Sequence, residues 1–231
     1  MKSLVFFLMF IVSIPNNLFS QNSNVLLDRV RNKLNVVNNY EANAIMKTDV
    51  SFLKVPQANV KVYFKKPNKI KIKNEKGISF VPKGAVTINI NSIVSGNNFT
   101  VIDAGNSNVN GMEVKVLKLL PGNEADNIIL STIYVDEKNA VIIKAITTTK
   151  DNGTYELDMK YGRFISYGLP DEVVFIFNTK DYKMPKGLTF DYDDASAQKN
   201  IDDKNKDKHG KIEIDYSSYI INKGVSDEIF K

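Results

Sequence analysis

The chain has 231 residues, a formal charge of +5, one histidine, and neither cysteine nor tryptophan. Without cysteine there are no disulfides, no thiolate metal sites and no lipid tether made on a cysteine of this chain. Positive charge rests on lysine, with arginine only at Arg29, Arg31 and Arg163; readers of bases and phosphates favour the bidentate arginine fork, so a nucleic-acid partner is not expected.

Residues 1–20 have the layout of an export signal: Lys2, an apolar run over 4–14 that is too short to span a bilayer, then "PNN" and "LFSQ". Cleavage is expected near Ser20, leaving one domain over residues 21–231, long enough to bury a core without staples. No second run reaches the ~18 apolar residues of a membrane-spanning helix. The mature chain is therefore expected beyond the inner membrane and not anchored in it.

"SNVLLDRVRNKLNVV" sets Leu27, Val30, Leu34 and Val37 three and four apart, with Asp28, Arg29, Arg31, Asn32 and Lys33 between them. That spacing predicts an amphipathic helix over 25–37, opened by Ser23 or Asn24 as N-cap. The period then becomes two. Tyr40, Ala42, Ala44, Met46, Val50 and Phe52 alternate with Glu41, Asn43, Lys47, Asp49 and Ser51, a long strand with one dry face. "VPQ" at 55–57 is expected to turn the chain; Ala58, Val60, Val62 and Phe64 resume the alternation, and Pro67-Asn68 turns it again. "FKKPNKIKIK", residues 64–73, holds five lysines and no acid. It first suggests a phosphate-binding stripe, but period two makes the lysines mostly the wet side of a hairpin with Phe64, Ile70 and Ile72 on the dry side.

Residues 77–122 are less regular. "AVTINI", "FTVI" and "MEVKVLKLL" are strand-like, separated by the turn clusters "SGNN" and "GNSNVNG", and "PGNEADN" follows as a loop. Over 128–161, "IILSTIYV", "AVIIKAITTT" and "TYELDMKY" make a three-strand meander, with Asn152-Gly153 the strongest hairpin signal. A strand over 173–177, a polar charge-mixed excursion and a last strand in "KIEIDYSSYIIN" complete the chain. About ten or eleven antiparallel strands with no dividing linker must curl or close, since a long open sheet exposes its edges. The predicted fold is mainly β: a curved, half-open antiparallel barrel with an N-terminal amphipathic helix packed against it.

His209 is the only histidine, so the usual zinc sets and the Ser-His-Asp and Cys-His arrangements cannot be assembled. No G-x-S-x-G, P-loop or dinucleotide fingerprint is present. The neighbouring acids Asp171 and Glu172, or Asp193 and Asp194, would point to opposite faces of a strand, poor geometry for a hydrolase. "DKNKDKHG" at 203–210 imitates a calcium loop but has Lys208 where glycine is needed and Ile214 where the bidentate acid belongs. The N-x-T triplets at Asn98 and Asn152 are read as turns. No enzymatic activity, metal or cofactor is expected.

The signal, the helix followed by "YEANAIMKTDVSF", then "VKVYFKKPNKIKIK" with its succession of strand, aromatic, basic pair, proline, turn and strand, and the meander "IYVDEKNAVIIKAITTTKDNGTYELDMKYG" together resemble the LolA/LolB superfamily of periplasmic outer-membrane lipoprotein carriers, its lipoprotein-sorting proteins in particular. The likeness spans most of the mature chain through short, degenerate motifs. It implies a half-open barrel with helices as a lid over an apolar cavity for acyl chains, although no lid helices are legible between the strands. Met46, Val50, Phe52, Val62, Phe64, Ile70, Ile72 and Phe80 are the cavity candidates. Lys66 stands before the proline, where such carriers usually have an arginine that helps latch the lid; lysine offers a point charge in place of a planar fork. The resemblance implies a periplasmic carrier or chaperone that binds lipoprotein acyl chains, or another lipid, and moves them toward the outer membrane. An inner-membrane release complex and an outer-membrane acceptor are its candidate partners. The alternative is an envelope sensor or scaffold that uses the same fold to bind a protein partner.

Overall fold

The computed structural model describes residues 18–50, 53–74, 90–94, 98–123, 126–178 and 209–230, with side chains described from Asn22 onward except at 50, 53–56, 91 and 92. Among these residues ten strands form one antiparallel sheet: β1 (Asn39–Val50), β2 (Leu53–Lys65), β3 (Lys69–Asn74), β4 (Phe99–Val109), β5 (Met112–Pro121), β6 (Ile128–Asp136), β7 (Val141–Thr149), β8 (Gly153–Lys160), β9 (Glu172–Asn178) and β10 (His209–Ile221). Their order is β3-β2-β1-β10-β9-β8-β7-β6-β5-β4. Each strand pairs with its neighbour in sequence and β1 pairs with β10; β3 and β4 do not meet. This is the order of an up-and-down barrel with one seam missing, the half-open arrangement predicted.

Helix α1 (Leu18–Asn35) lies on the inner face. Ser23 Oγ donates to Asp103 Oδ2 on β4 at 3.3 Å, and Lys66 Nζ, between β2 and β3, donates to the Asn35 carbonyl at 2.7 Å. A helix of this length, about 27 Å, reaches both ends of a ten-strand sheet only if the sheet curls around it. Leu26, Leu27, Val30, Leu34 and Val37 are buried in one cluster with inner-face residues from β1, β2 and β5 to β10. Each such side chain stabilises the fold by ~1.5–3 kcal/mol.

The structure corrects several local expectations. The helix begins at Leu18, not at residue 25, so Ser23 lies inside it and its hydroxyl serves an acid on β4 instead of a backbone amide. Residues 18–20 of the expected signal form the first turn of α1; the rest of the signal lies outside the described residues. "VPQ" is not a turn. β2 runs through Pro56, and the register steps from Met46↔Ala58 to Thr48↔Val55, a bulge that spares the ladder the amide proline lacks. "GNSNVNG" is mostly strand. A shift between Asp103 and Asn106 absorbs Gly105, and the chain reverses at Asn110-Gly111, both with positive φ of 52° and 84°, as a type I′ turn demands. Ile90 of "AVTINI" opens the short helix α2 (Ile90–Val94), and His209 begins β10 instead of ending a loop. The meander β6-β7-β8 is as predicted, with Ser131 and Thr147 sharing a buried hydrogen bond of 3.0 Å across it.

Candidate functional site

An apolar cavity of about 100 Å³ lies between the C-terminal end of α1 and the inner face of the sheet. Leu34 of α1 and Val37 just beyond its end form one wall. The sheet contributes Tyr40, Phe64, Ile70 and Ile72 from β1 to β3, and Leu157, Met159, Val173, Phe175, Ile212, Ile214, Tyr216 and Tyr219 from β8 to β10; Tyr167 to Pro170 and Ile90 complete the lining. Among the described residues no charged side chain takes part. On the scale by which one water needs ~10–15 Å³ and an engineered ~150 Å³ cavity holds benzene, this space suits an aromatic ring or a few methylene groups.

Strand parity explains the wall. Leu157 and Met159 alternate with Glu156, Asp158 and Lys160, and Val173 and Phe175 pair with them across β8 and β9. On β10 the register shifts, Asn43 facing Ser218 but Ala44 facing Tyr216. Ser217 is the extra residue, so Tyr216 and Tyr219, three apart, both turn inward. Arg163 holds this bulge, donating from its guanidinium to the carbonyls of Tyr216 and Ser217 at 2.9 Å each while lying 5.3 Å over the ring of Phe164. Phe164 in turn meets Tyr219 edge-on at 4.9 Å. The crossover from β8 to β9 is thereby pinned beside the cavity. At Gly168, with φ 66°, an added Cβ would come within 3.1 Å of Lys33 Cγ, so this crossover packs closely on α1.

The polar groups of the wall are tyrosine hydroxyls. Tyr40 meets Phe64 at 5.3 Å and Tyr219 at 5.2 Å, and Tyr216 stacks on Tyr219 at 5.0 Å. Burial raises the pKa of Tyr40, Tyr216 and Tyr219 well above the ordinary value, and Tyr40 and Tyr216 are also hydrogen-bonded to each other. Tyr219 donates to the Pro170 carbonyl at 2.8 Å. Such a lining can desolvate an apolar group and offer a neutral hydroxyl at its margin. Among the described residues no three His, Asp or Glu side chains are grouped to hold a metal ion, and no helix is long and apolar enough to cross a membrane.

Of the predicted cavity residues, Phe64, Ile70 and Ile72 line this space. Met46 and Val62 are 1% and 0% exposed within the surrounding core and do not reach the cavity. Phe52 and Phe80 lie outside the described residues, as does the side chain of Val50. Lys66 sits where it can hold the helix: it donates to the Asn35 carbonyl, and Asn222 Nδ2 donates to the Val36 carbonyl at 2.9 Å. Together they receive carbonyls that the end of a helix leaves without partners, next to Leu34 and Val37. The wall from β8 to β10 was not among the predicted cavity residues; its alternation was legible, but not which strands the missing seam would leave around the helix end.

No protein-family model and no curated protein sequence matches the chain. Solved structures do. A LolA superfamily protein from Nitrosomonas europaea is 10% identical over 90% of this chain and 97% of its own, with a TM-score of 0.56. A putative outer membrane lipoprotein-sorting protein domain from Vibrio parahaemolyticus is 9% identical over 92% and 97%, with a TM-score of 0.55. A DUF1329 family protein from Desulfovibrio piger is 13% identical over 90% and 97%, with a TM-score of 0.54. At these identities the likeness is one of fold, and the half-open barrel around α1 is a LolA-like fold.

Proposed function

We propose that this protein is a periplasmic carrier that shields an acyl chain, of a lipoprotein or another lipid, between α1 and the half-barrel and moves it toward the outer membrane without a chemical step or a cofactor. One observation carries this: among the described residues the space beside the helix end is lined by apolar and tyrosine side chains and by no charge, the character of a site that binds by desolvation. The LolA-like fold supports it. A cavity of about 100 Å³ receives only part of a long chain, so loading requires the end of α1 and the β2–β3 hairpin to part, and the Lys66 and Asn222 hydrogen bonds resist that movement. Mass spectrometry of solvent extracts of the purified protein tests the proposal. A co-purifying acyl lipid, displaced by a fluorescent fatty acid, is expected; an extract free of lipid from a protein that also binds no fatty acid would refute it.

A second function, an envelope scaffold that binds a protein partner, is favoured by Ile102 and Leu120. These are 45% and 37% exposed and are diagonal neighbours on the outer face of β4 and β5. A stoichiometric protein partner lost on changing Ile102 to Asp, with no bound lipid, would establish it in place of the carrier.

A further inference from the structure

The hairpin of β2 and β3 holds six lysines from Lys61 to Lys73 and no acid. Its register puts five of them on one outer face: Lys61 opposite Lys73, Tyr63 opposite Lys71, and Lys65 opposite Lys69. The residues between them, among them Phe64, Ile70 and Ile72, turn inward to the cavity. Two of the three outer pairs are thus lysine against lysine, which destabilises a ladder. Elsewhere on the outer face the chain does the reverse. Lys47 meets Glu213 at 2.7 Å and Asp215 at 3.0 Å, Lys160 meets Glu172 at 2.7 Å, and Lys144 lies between Glu156 and Asp158.

Among the described residues two acids reach the hairpin. Glu41 pairs with Lys61 at 3.0 Å, and Asp227, from the C-terminal 3-10 turn Asp227–Phe230, bridges Lys65 and Lys69 at 2.7 Å each. Lys71 and Lys73 have no acid within ion-pair distance among the described residues; the Lys73 ammonium lies 5.8 Å over the ring of Tyr63. A face that stays cationic against its own ladder is matched to negative charge from outside.

We propose that this face of the β2–β3 hairpin docks on the anionic surface of a lipid bilayer. Lysine ammonium groups on flexible stems suit a diffuse layer of headgroup charge; the fork that grips a single phosphate is arginine's, and none of the three arginines lies on the hairpin. Docking sets the cavity wall one strand from the headgroups. That link to loading rests on the carrier function proposed above, whereas the docking rests on the hairpin's charge alone.

Co-sedimentation of the mature chain with phosphatidylcholine vesicles, with and without phosphatidylglycerol, tests this. Binding is expected only with phosphatidylglycerol, falling as salt is raised. The pair Lys71→Gln and Lys73→Gln should weaken partitioning about twenty-five-fold, at about fivefold for each lysine, while Lys118→Gln on the outer face of β5 leaves it unchanged. Circular dichroism establishes that the pair is folded; if it is not, Lys71→Gln alone should show the single fivefold loss. Equal binding to both vesicles, anionic binding that survives the hairpin changes, or a salt-sensitive complex with an acidic polypeptide by a protein that ignores vesicles would overturn the proposal. Cavity binding, measured separately with a soluble fatty acid, stands or falls independently.

Discussion

Val173 offers the sharpest test that the space beside α1 is a cavity and not core. It lies on β9 between Met159 of β8 and Ile214 of β10, all three in the cavity wall. Val173→Phe replaces an isopropyl with a benzyl group at that point. In a packed core such overfilling costs ~1–3 kcal/mol. Here about 100 Å³ is open, and since ~150 Å³ accommodates benzene, most of the added ring has room. Filling an existing space should stabilise the fold by ~0.5–2 kcal/mol. With a urea slope of ~2 kcal/mol/M, the unfolding midpoint should rise by roughly 0.3–1 M, and a fluorescent fatty acid should lose at least about tenfold in affinity, because ring and ligand compete for one space. A midpoint that falls, with probe binding unchanged, would show that this space is packed core and not a binding cavity.

Other outcomes follow from the same geometry. Lys66→Leu removes the donor to the Asn35 carbonyl; at ~0.3–1 kcal/mol for a cation at a helix end, probe release to a soluble acceptor, without vesicles, should quicken about two- to fivefold, whereas Lys71→Leu should leave it unchanged. Ser131→Ala should cost ~1 kcal/mol in urea unfolding and not the larger penalty of an orphaned group, because the Thr147 hydroxyl keeps Tyr155 as a partner. Burial pushes the Tyr155 hydroxyl up to about 12 and also raises Tyr40, Tyr161, Tyr216 and Tyr219. Since the folded values lie above the unfolded value of ~10, their contribution to stability is complete below pH 10 and is lost as pH rises through the folded values. Absorbance at 295 nm should therefore show these five of the ten tyrosines protonated in native protein at about pH 11 and ionised once urea unfolds it.

The fold was largely legible because period-two alternation is a direct consequence of strand geometry. Tyr40, Ala42, Ala44 and Met46 are buried as their spacing requires, and so are Tyr155, Leu157 and Met159. What escaped were the places where one residue breaks the period. Parity carried on from Ile212, Ile214 and Tyr216 would turn Ser218 and Ile220 inward. The extra residue at Ser217 reverses that, leaving Ile220 53% exposed and Tyr219 in the cavity wall. Nothing local in "DYSSYII" announces the bulge; it depends on Asn43 across the ladder and on Arg163, more than fifty residues away. The same holds for Pro56, whose missing amide signals either a turn or a bulge, and only pairing with β1 decides between them. The first hairpin's share of the cavity could be read from sequence, whereas the share from β8 to β10 depends on where α1 ends.

The proposed carrier holds an acyl chain in the space beside Leu34 and Val37. Nuclear Overhauser contacts between a ¹³C-labelled fatty acid and isoleucine methyl groups test it most directly. Saturable binding is expected, with contacts to Ile70, Ile72, Ile212 and Ile214 and none to Ile102 or Ile220 on the outside. Contacts confined to the exposed isoleucines, or no saturable binding at all, would contradict it.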